Sequence, residues 1–335
     1  MKGGETMPTI NDVAKKAGVA VSTVSKVLKN YPNISDETKK KVLAAADELG
    51  YVPNMIASAL SSKNYNRVAL IVNINNQRQA IDEINMQYLF GAFNKAEELQ
   101  LNVLTTFSSN LVNKTAEEII RILKSEGVNG IIVYGLNKRH SKLLKIIREQ
   151  CFSCVVVDAP IVNKKTSSVM VDHFKGQYEV AKKTIEKEYC KKVLYLAGNV
   201  DGFVTDVRLD GIKKLQQELG FELRVEYANF SEKKARDITF HLGDYADVIV
   251  CASDLMAIGV KNALKEMNIF RPVCGYDGIT LMGYAGERMN TVKQDFYHVS
   301  EVAVEEMKHL LDGNKGRQVL LDYEIVRLNY EDIIT

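Results

Sequence analysis

TINDVAKKAGVAVSTVSKVLKN, residues 9–30, contains two short amphipathic segments that meet at Gly18. Apolar residues recur three or four positions apart in each segment, which predicts two helices with one buried stripe each. The stripes are Ile10, Val13, Ala14 and Ala17 in the first helix, and Val24, Val27 and Leu28 in the second. Thr9 and Asp12 form a capping box that marks where the first helix begins. Two short helices joined by a tight turn predict a helix-turn-helix, whose second helix enters the major groove of DNA.

The second helix leaves a polar face that suits nucleic acid. Short hydroxyl side chains and the methyl groups of Val21 are able to contact base edges, and lysines are able to contact phosphates or guanine. Thr23 is better placed for a backbone phosphate, a contact that sets register and not sequence. The face consists of Val21, Ser22, Ser25, Lys26 and Lys29.

A third helix is predicted between Ser35, a good N-cap, and Gly50, a good C-terminal stop. Its predicted core residues are Val42, Leu43, Ala46 and Leu49. Pro53 prevents the helix from continuing, and Asn54 is able to cap a further segment of about two turns. So short a helix is unstable alone, which leaves two interpretations open: a linker, or a hinge helix that orders against DNA and a partner subunit.

From Arg67 onward, runs of Val, Ile and Leu alternate with helical stretches, a pattern typical of a parallel sheet covered on both faces. About ten strands would overfill one sheet, so we predict two. The apolar runs are residues 68–72, 102–105, 130–134, 154–158, 169–171, 193–197, 225–227 and 248–251. Ligands bind at the carboxyl ends of such strands, where Asp158, Asp254 and Asp277 are expected. For Asp158 and Asp254, capping of the following segment is an equal alternative.

Residues 8–60 resemble the headpiece of the LacI/GalR family of bacterial repressors. The family pattern T-I-x-D-V-A-x-x-A-G-V-S-x-x-T-V-S-R-V-L-N is followed by Y-x-P-N-x-x-A-R-x-L. The resemblance implies that Leu60 wedges into the minor groove at the centre of the operator. Ala20, Lys26 and Ser58 depart from the family's Ser, Arg and Arg, which leaves the half-site sequence open. The predicted DNA-binding residues are Thr9, Val21, Ser22, Thr23, Ser25, Lys26, Lys29, Asn33, Ser35, Asn54, Ala57 and Leu60.

The resemblance continues through residues 208–211, 252–259, 275–277 and 291–296, which are similar to the family's R-x-x-G, A-N/S-D-x-x-A-x-G, G-Y/F-D and T-V/I-x-Q-D/P patterns. It implies an α/β body like that of periplasmic binding proteins, with two Rossmann-like lobes, three crossovers and a small-molecule effector between the lobes. The implied effector-binding residues are Asp158, Arg208, Ser253, Asp277, Gln294 and Phe296. The segment 73–82 lacks the family's aromatic pair, so the identity of the effector does not carry over.

These patterns divide the chain into four parts. They are an N-terminal extension (1–7), an all-α helix-turn-helix headpiece (8–53), a hinge helix with linker (54–64), and an effector-binding and dimerisation body (65–335). Lobe 1 is expected at about 65–160 and 277–322, and lobe 2 at about 161–290 and 323–335. Residues 2–5 resemble a translated ribosome-binding site, so we expect translation to start at Met7.

The charge distribution, apolar runs, cysteines and motifs of the chain narrow the classes of function that the sequence supports. Residues 1–63 carry nine lysines and six acidic residues, a basic excess where phosphate contacts are expected. The chain lacks both an apolar run of ~20 residues and a secretion signal, and its five cysteines are scattered, which together predict a cytoplasmic protein. Cys151 and Cys154 have CxxC spacing but run into a buried strand, which favours packing. Without a nucleophile motif or a clustered set of metal ligands, we expect no enzyme activity, cofactor or metal.

The sequence therefore predicts a sequence-specific DNA-binding transcriptional regulator in the bacterial cytoplasm, associated with the nucleoid. It would act as a homodimer on a pseudo-palindromic operator, without membrane contact. The resemblance further implies that it represses a carbohydrate-utilisation operon and responds to a sugar or sugar phosphate. The alternative is a cytoplasmic solute-binding protein or sugar-processing enzyme without operator binding. The resemblance leaves open a phosphoprotein corepressor, the operator sequence, induction against corepression, and dimer against tetramer.

Overall fold

The computed structural model describes residues 8–28, 34–51, 67–73, 83–185, 190–284 and 288–327. The chain divides into two compact units, residues 1–65 and 66–335. The predicted residues Lys29, Asn33, Asn54, Ala57 and Leu60 lie outside the described residues, as does most of the 73–82 segment.

The described residues of the N-terminal unit form three helices, α1 (Ile10–Ala17), α2 (Val21–Leu28) and α3 (Asp36–Leu49). They pack around a small apolar core of Val13, Ala14, Val24, Val27, Val42, Ala45 and Ala46. The predicted stripes of α1 and α2 are confirmed, but the assignment of Leu43 to the core is wrong, since its side chain is 50% exposed. Buried positions in α3 follow the 42, 45, 46 spacing, which turns residue 43 toward solvent.

The ends of these helices form as the sequence predicts. The Asp12 carboxylate accepts hydrogen bonds from the Thr9 backbone N–H at 2.8 Å and from the Thr9 hydroxyl at 2.7 Å. Gly18 has φ +68°, a conformation that favours glycine and lets α1 turn directly into α2. Ser35 accepts a hydrogen bond from Thr38 N–H at the start of α3.

Lobe 1 of the second unit is built on a parallel sheet. Its described strands are β1 (Arg67–Val72), β2 (Asn102–Phe107), β3 (Val128–Tyr134), β4 (Ser153–Val157), β5 (Thr166–Val171) and β11 (Gln318–Leu321). They lie in the order β11-β5-β4-β3-β1-β2. The helices on its faces are α4 (Glu83–Glu98), α5 (Ala116–Ser125), α6 (Ser141–Arg148) and α12 (Phe296–Leu311), and a 3-10 turn spans Ser108–Leu111.

Lobe 2 repeats this arrangement. Its described strands are β6 (Lys192–Ala197), β7 (Glu222–Tyr227), β8 (Val248–Cys251), β9 (Val273–Cys274), β10 (Asn290–Lys293) and β12 (Glu324–Arg327). They lie in the order β12-β10-β9-β8-β6-β7, parallel except for β12 against β10. Its helices are α7 (His173–Ile185), α8 (Phe203–Leu219), α9 (Glu232–Leu242), α10 (Asp254–Glu266) and α11 (Leu281–Tyr284). The two predicted sheets are therefore confirmed.

Within the described residues the chain passes between the lobes three times: between β5 and α7, between β10 and α12, and between β11 and β12. The expected first boundary at residue 160 is wrong, because β5 pairs with β4, with Val157 opposite Val169. The expected ranges of the two lobes overlap at 277–290, and the described part of this stretch belongs to lobe 2, since β10 pairs with β9 and β12. Strand partners far apart in sequence decide these boundaries, and a local apolar pattern does not report them.

Candidate functional sites

The face of α2 that the sequence predicts to contact DNA is largely exposed to solvent in the N-terminal unit. Val21 is 40% exposed, and Ser22 and Lys26 are also exposed, whereas Thr23 and Ser25 are partly buried. Val24 and Val27, on the opposite side of α2, lie in the core. The helix thus presents short polar, apolar and cationic groups from a surface that the core holds rigid.

Thr9 and Ser35 are exposed, but their hydroxyl groups already have local partners. The Thr9 hydroxyl donates to the Asp12 carboxylate, and the Ser35 hydroxyl lies 2.9 Å from that of Thr38. Both side chains hold the starts of helices, so any contact they make with phosphate competes with a cap.

A cavity of about 270 Å³ lies in the second unit, at the carboxyl ends of strands from both lobes. This is where a ligand is expected in open α/β sheets. The cavity brings together all six residues that the resemblance implied: Asp158, Arg208, Ser253, Asp277, Gln294 and Phe296. Its other polar, aromatic and aliphatic lining residues are Glu83, Ile84, Asn85, Tyr88, Gly135, Val204, Phe230, Leu255, Ile279 and Leu281.

Arg208 is the buried cation of this cavity, with only 4% of its surface exposed. Its Nη1 donates to the Ala252 carbonyl at 2.5 Å, and its Nη2 lies 3.4 Å from Asp277 Oδ1. The guanidinium stacks on the Tyr276 ring, 3.6 Å from the centroid. Within the described residues its buried Nε–H has no hydrogen-bond partner. Arg208 is therefore held in place by Ala252, Asp277 and Tyr276, and these contacts do not use all of its five N–H donors, so donors remain for a ligand.

Asp158 and His173 form a hydrogen-bonded pair beside Arg208. Asp158 Oδ1 lies 2.8 Å from His173 Nε2, and its Oδ2 accepts from the Tyr88 hydroxyl at 3.0 Å. Burial lowers the pKa of His173, so the ring is neutral, with Nε2–H donating to Asp158 and Nδ1 accepting from the Tyr276 hydroxyl at 3.1 Å. Burial alone would raise the pKa of Asp158, but His173, Arg208 and Tyr88 together hold it below its usual range. Asp158 is thus an ionised acceptor.

Asp277 is the second carboxyl group of the cavity. Its Oδ1 accepts from Gln294 Nε2 at 3.1 Å and faces Arg208. Burial raises the pKa of Asp277 to about 7, against the opposing effect of Arg208. Its φ of +117° is in the region that disfavours side chains, and such strain is typical of functional sites.

Asp254 has a structural role, but not the capping of the following segment that the sequence left as an alternative, since Ser253 caps α10. Asp254 is fully buried and accepts hydrogen bonds from Gly278 N–H at 2.7 Å, Ile279 N–H at 3.0 Å and the Thr291 hydroxyl at 2.6 Å. Asp254 therefore holds the loop that carries Asp277. Ser253 caps α10 by accepting from Met256 N–H at 3.3 Å, which leaves its own hydroxyl hydrogen free to donate.

Tyr88 and Phe230 belong to the cavity wall, and the sequence did not single them out. Phe230 has φ +56° and follows Asn229 at φ +58°. Two successive left-handed residues aim the Phe230 ring across Gly198, where an added Cβ would lie 2.1 Å from the ring. Gly198 directly follows β6, and a glycine at such a position indicates that another group packs closely against the backbone, here the Phe230 ring.

The described part of the chain gives little support for a reactive cysteine, a metal site or a membrane-spanning segment. Burial raises the pKa of Cys154 to about 12, which makes it unreactive and supports the packing interpretation. The described residues contain no group of three or more His, Cys, Asp or Glu able to hold a metal ion. None of the described helices is long and apolar enough to cross a membrane.

Comparison with known proteins places both units in known families. A model of bacterial regulatory proteins of the lacI family matches residues 9–54, and a periplasmic-binding-protein domain model matches residues 86–315. The HTH-type transcriptional regulator RegA of Clostridium saccharobutylicum is 28% identical over 332 residues, covering 95% of this chain and 97% of RegA.

Two solved structures share the fold. The Lac repressor dimer bound to operator and the anti-inducer ONPF has a TM-score of 0.81 at 22% identity, over 96% of this chain and 98% of that chain. The transcriptional regulator CelR in complex with cellobiose has a TM-score of 0.70 at 24% identity, over 96% and 99%. They confirm the predicted fold class, a helix-turn-helix unit followed by a two-lobed α/β body.

Proposed function

This chain belongs to the LacI family of bacterial regulatory proteins, and from that membership we propose that it is a transcriptional repressor of a carbohydrate-utilisation operon, controlled by a sugar bound between its lobes. Members of the family are DNA-binding transcriptional regulators and not enzymes. The observation that carries the proposal is the exposed face of α2, because this rigid row of small and cationic side chains suits the major groove.

The cavity supports a sugar as the effector. Hydroxyl groups need acceptors such as Asp158 and Asp277 together with donors such as Arg208 Nε–H and the Ser253 hydroxyl. The aromatic rings of Tyr88, Phe230 and Phe296 offer apolar faces to a sugar ring.

The charge of the described lining favours an uncharged sugar over a sugar phosphate. Three carboxyl groups, on Glu83, Asp158 and Asp277, line the cavity with one guanidinium, Arg208. Two of the three nitrogens of that guanidinium are already bonded within the protein. A phosphate would therefore meet an excess of negative charge.

In the proposed mechanism, two headpieces of a homodimer bind a pseudo-palindromic site in the bacterial cytoplasm, on the nucleoid. The effector changes the angle between the lobes, and thereby the spacing of residues 54–60 across the dimer. It acts only to the extent that its affinity differs between the two lobe arrangements. The relatives' dimeric, operator-bound Lac repressor structure supports this arrangement.

The proposal is tested by selecting bound duplexes from a random DNA pool with the full chain, with and without D-glucose, maltose or cellobiose. We expect a pseudo-palindrome whose half-sites are about 10 base pairs or a multiple apart. The affinity for it should change with one of the sugars. The sign of that change decides between induction and corepression. Absence of any enriched sequence would contradict the proposal.

A salt titration separates the proposal from a solute-binding protein or a sugar-processing enzyme. A regulator should bind even random duplex DNA, with an affinity that falls steeply as salt rises, because phosphate contacts release counterions. A protein of either other class should show no such binding.

A further inference from the structure

Glu83 connects the two lobes at the cavity wall. It lies in the first turn of α4 in lobe 1 and lines the cavity. Its carboxylate accepts two hydrogen bonds from Thr280 of lobe 2, from the backbone N–H at 3.0 Å and from the hydroxyl at 2.6 Å. Gln87, one turn further along α4, donates to the same carboxylate at 3.2 Å, which orients it toward lobe 2.

Thr280 ends the loop that begins at Asp277, so Glu83 and Asp254 hold the same loop from different lobes. Asp254 binds the backbone N–H groups of Gly278 and Ile279 from within lobe 2. Glu83 binds Thr280 from lobe 1. Asp277 itself is held within lobe 2, since its backbone N–H donates to the Val292 carbonyl at 2.8 Å and its side chain accepts from Gln294. Glu83 therefore secures the Thr280 end of the loop, whose Ile279 side chain lines the cavity, by a contact that joins the two lobes.

A second set of cross-lobe contacts lies outside the cavity lining. Lys138 of lobe 1 forms an ion pair with Asp206 of lobe 2, and its backbone N–H donates to the Asp201 carbonyl at 2.9 Å. Arg139 Nε lies 2.9 Å from the Asp201 carboxylate. These contacts also favour closed lobes, but they do not touch the loop that carries Asp277.

We propose that Glu83 is a positioning residue that couples lobe closure to effector binding by clasping Thr280. The inference rests on the proposed function in one respect only, that the cavity binds a sugar. Opening of the lobes breaks the clasp and releases the Thr280 end of the 277–280 loop. An effector that packs against Ile279 in this loop therefore binds more tightly when the clasp is formed, and it favours the closed arrangement.

The clasp is tested first without any ligand, by measuring hydrogen exchange of the Thr280 amide in the full-length protein. Glu83→Ala should speed exchange about 10-fold or more, since a hydrogen bond to a carboxylate is lost. Glu83→Gln retains an acceptor without the charge and should give a smaller increase. Lys138→Gln, the matched control, should leave Thr280 exchange close to that of the wild type. Unchanged exchange in Glu83→Ala would overturn the proposal.

The coupling is then tested by titrating each variant with whichever of D-glucose, maltose and cellobiose the wild type binds. Glu83→Ala should weaken binding about 10-fold, and Lys138→Gln by less than about 3-fold. Equal weakening in both variants would mean that any loosening of the lobes has this effect, and would overturn the proposal. If the wild type binds none of the three sugars, the effector assignment fails while the exchange result still decides the clasp.

Discussion

The exposed face of α2 and the effector cavity hold their functional side chains in opposite ways. Ser22 and Lys26 project from a single helix, and the part of the chain that the structure describes gives them no side-chain partner. Arg208 and Asp277 are buried and bonded to each other, and the partly buried Asp158 beside them is bonded to His173. These residues come from distant parts of the chain. The α2 face is therefore accessible to an external partner as it stands, whereas a ligand of the cavity has to bind among side chains that already contact one another. Substitutions on the exposed face of α2 should therefore change DNA binding without changing stability. Substitutions in the cavity should change ligand binding and stability together.

The largest effect is expected from Arg208→Met. The variant removes a buried cation that faces both Asp158 and Asp277 and leaves the Ala252 carbonyl without its donor, which should lower the free energy of unfolding by about 3–5 kcal/mol. Urea unfolding followed by tyrosine fluorescence measures this, since the chain has no tryptophan.

Arg236→Met is the matched control, because Arg236 makes a paired contact with Glu266 at the surface, at 2.8 and 2.9 Å. Its loss of stability should be much smaller. Similar losses in the two variants would remove the contrast between buried and exposed groups.

Asp277→Asn should change how stability depends on pH. In the folded protein burial raises the pKa of Asp277 to about 7, whereas the unfolded chain loses this proton near 3.8. The wild type should therefore lose stability relative to the variant as pH rises from 5 to 7, by about 1.4 kcal/mol per pH unit. Parallel stability curves for the two proteins over this window would show that Asp277 is not a buried acid.

Lys26→Ala should act on DNA binding alone. Loss of one base or phosphate contact should weaken binding to the selected duplex roughly 5- to 10-fold. The unfolding transition should not move, because Lys26 is exposed and outside the core. Lys40→Ala, on the exposed side of α3, removes the same charge and serves as the control. Equal losses for both lysines would mean that charge, and not the α2 face, accounts for binding.

Ser35→Ala should give the smallest effect, a loss of about 1 kcal/mol from the headpiece, because Thr38 N–H loses its cap. Ser35→Asp retains a capping oxygen and should restore the stability. Thermal unfolding of the pair distinguishes a cap from a DNA contact: if Ser35→Ala weakens DNA binding without changing the melting temperature, the capping role is wrong.

The same contrast explains how much the sequence could predict. Thr9, Asp12, Gly18 and the α1 and α2 stripes are local features, and each forms as its spacing predicts. The two sheets were also predictable, since buried strands read as apolar runs. The place of Thr166–Val171 was not, because pairing with β4 and β11 is decided by chain segments far away.

The cavity was only partly predictable for a similar reason. Five of its six expected residues lie in stretches that match family patterns, Asp158 was expected from its place at the end of a strand, and the structure brings all six together. Glu83 and Tyr88 follow the segment that departs from the family, so no pattern marked them. Phe230 reaches the cavity because Asn229 and Phe230 both have left-handed backbone, a conformation that a phenylalanine in the sequence does not predict.

The central claim is that one chain couples its cavity to its DNA-reading face. The most direct test measures the affinity of the full-length protein for its selected duplex, before and after saturation with a sugar that binds the cavity. We predict a change of about 5-fold or more, within the usual range of allosteric coupling. An unchanged DNA affinity at full occupancy of the cavity would contradict the account.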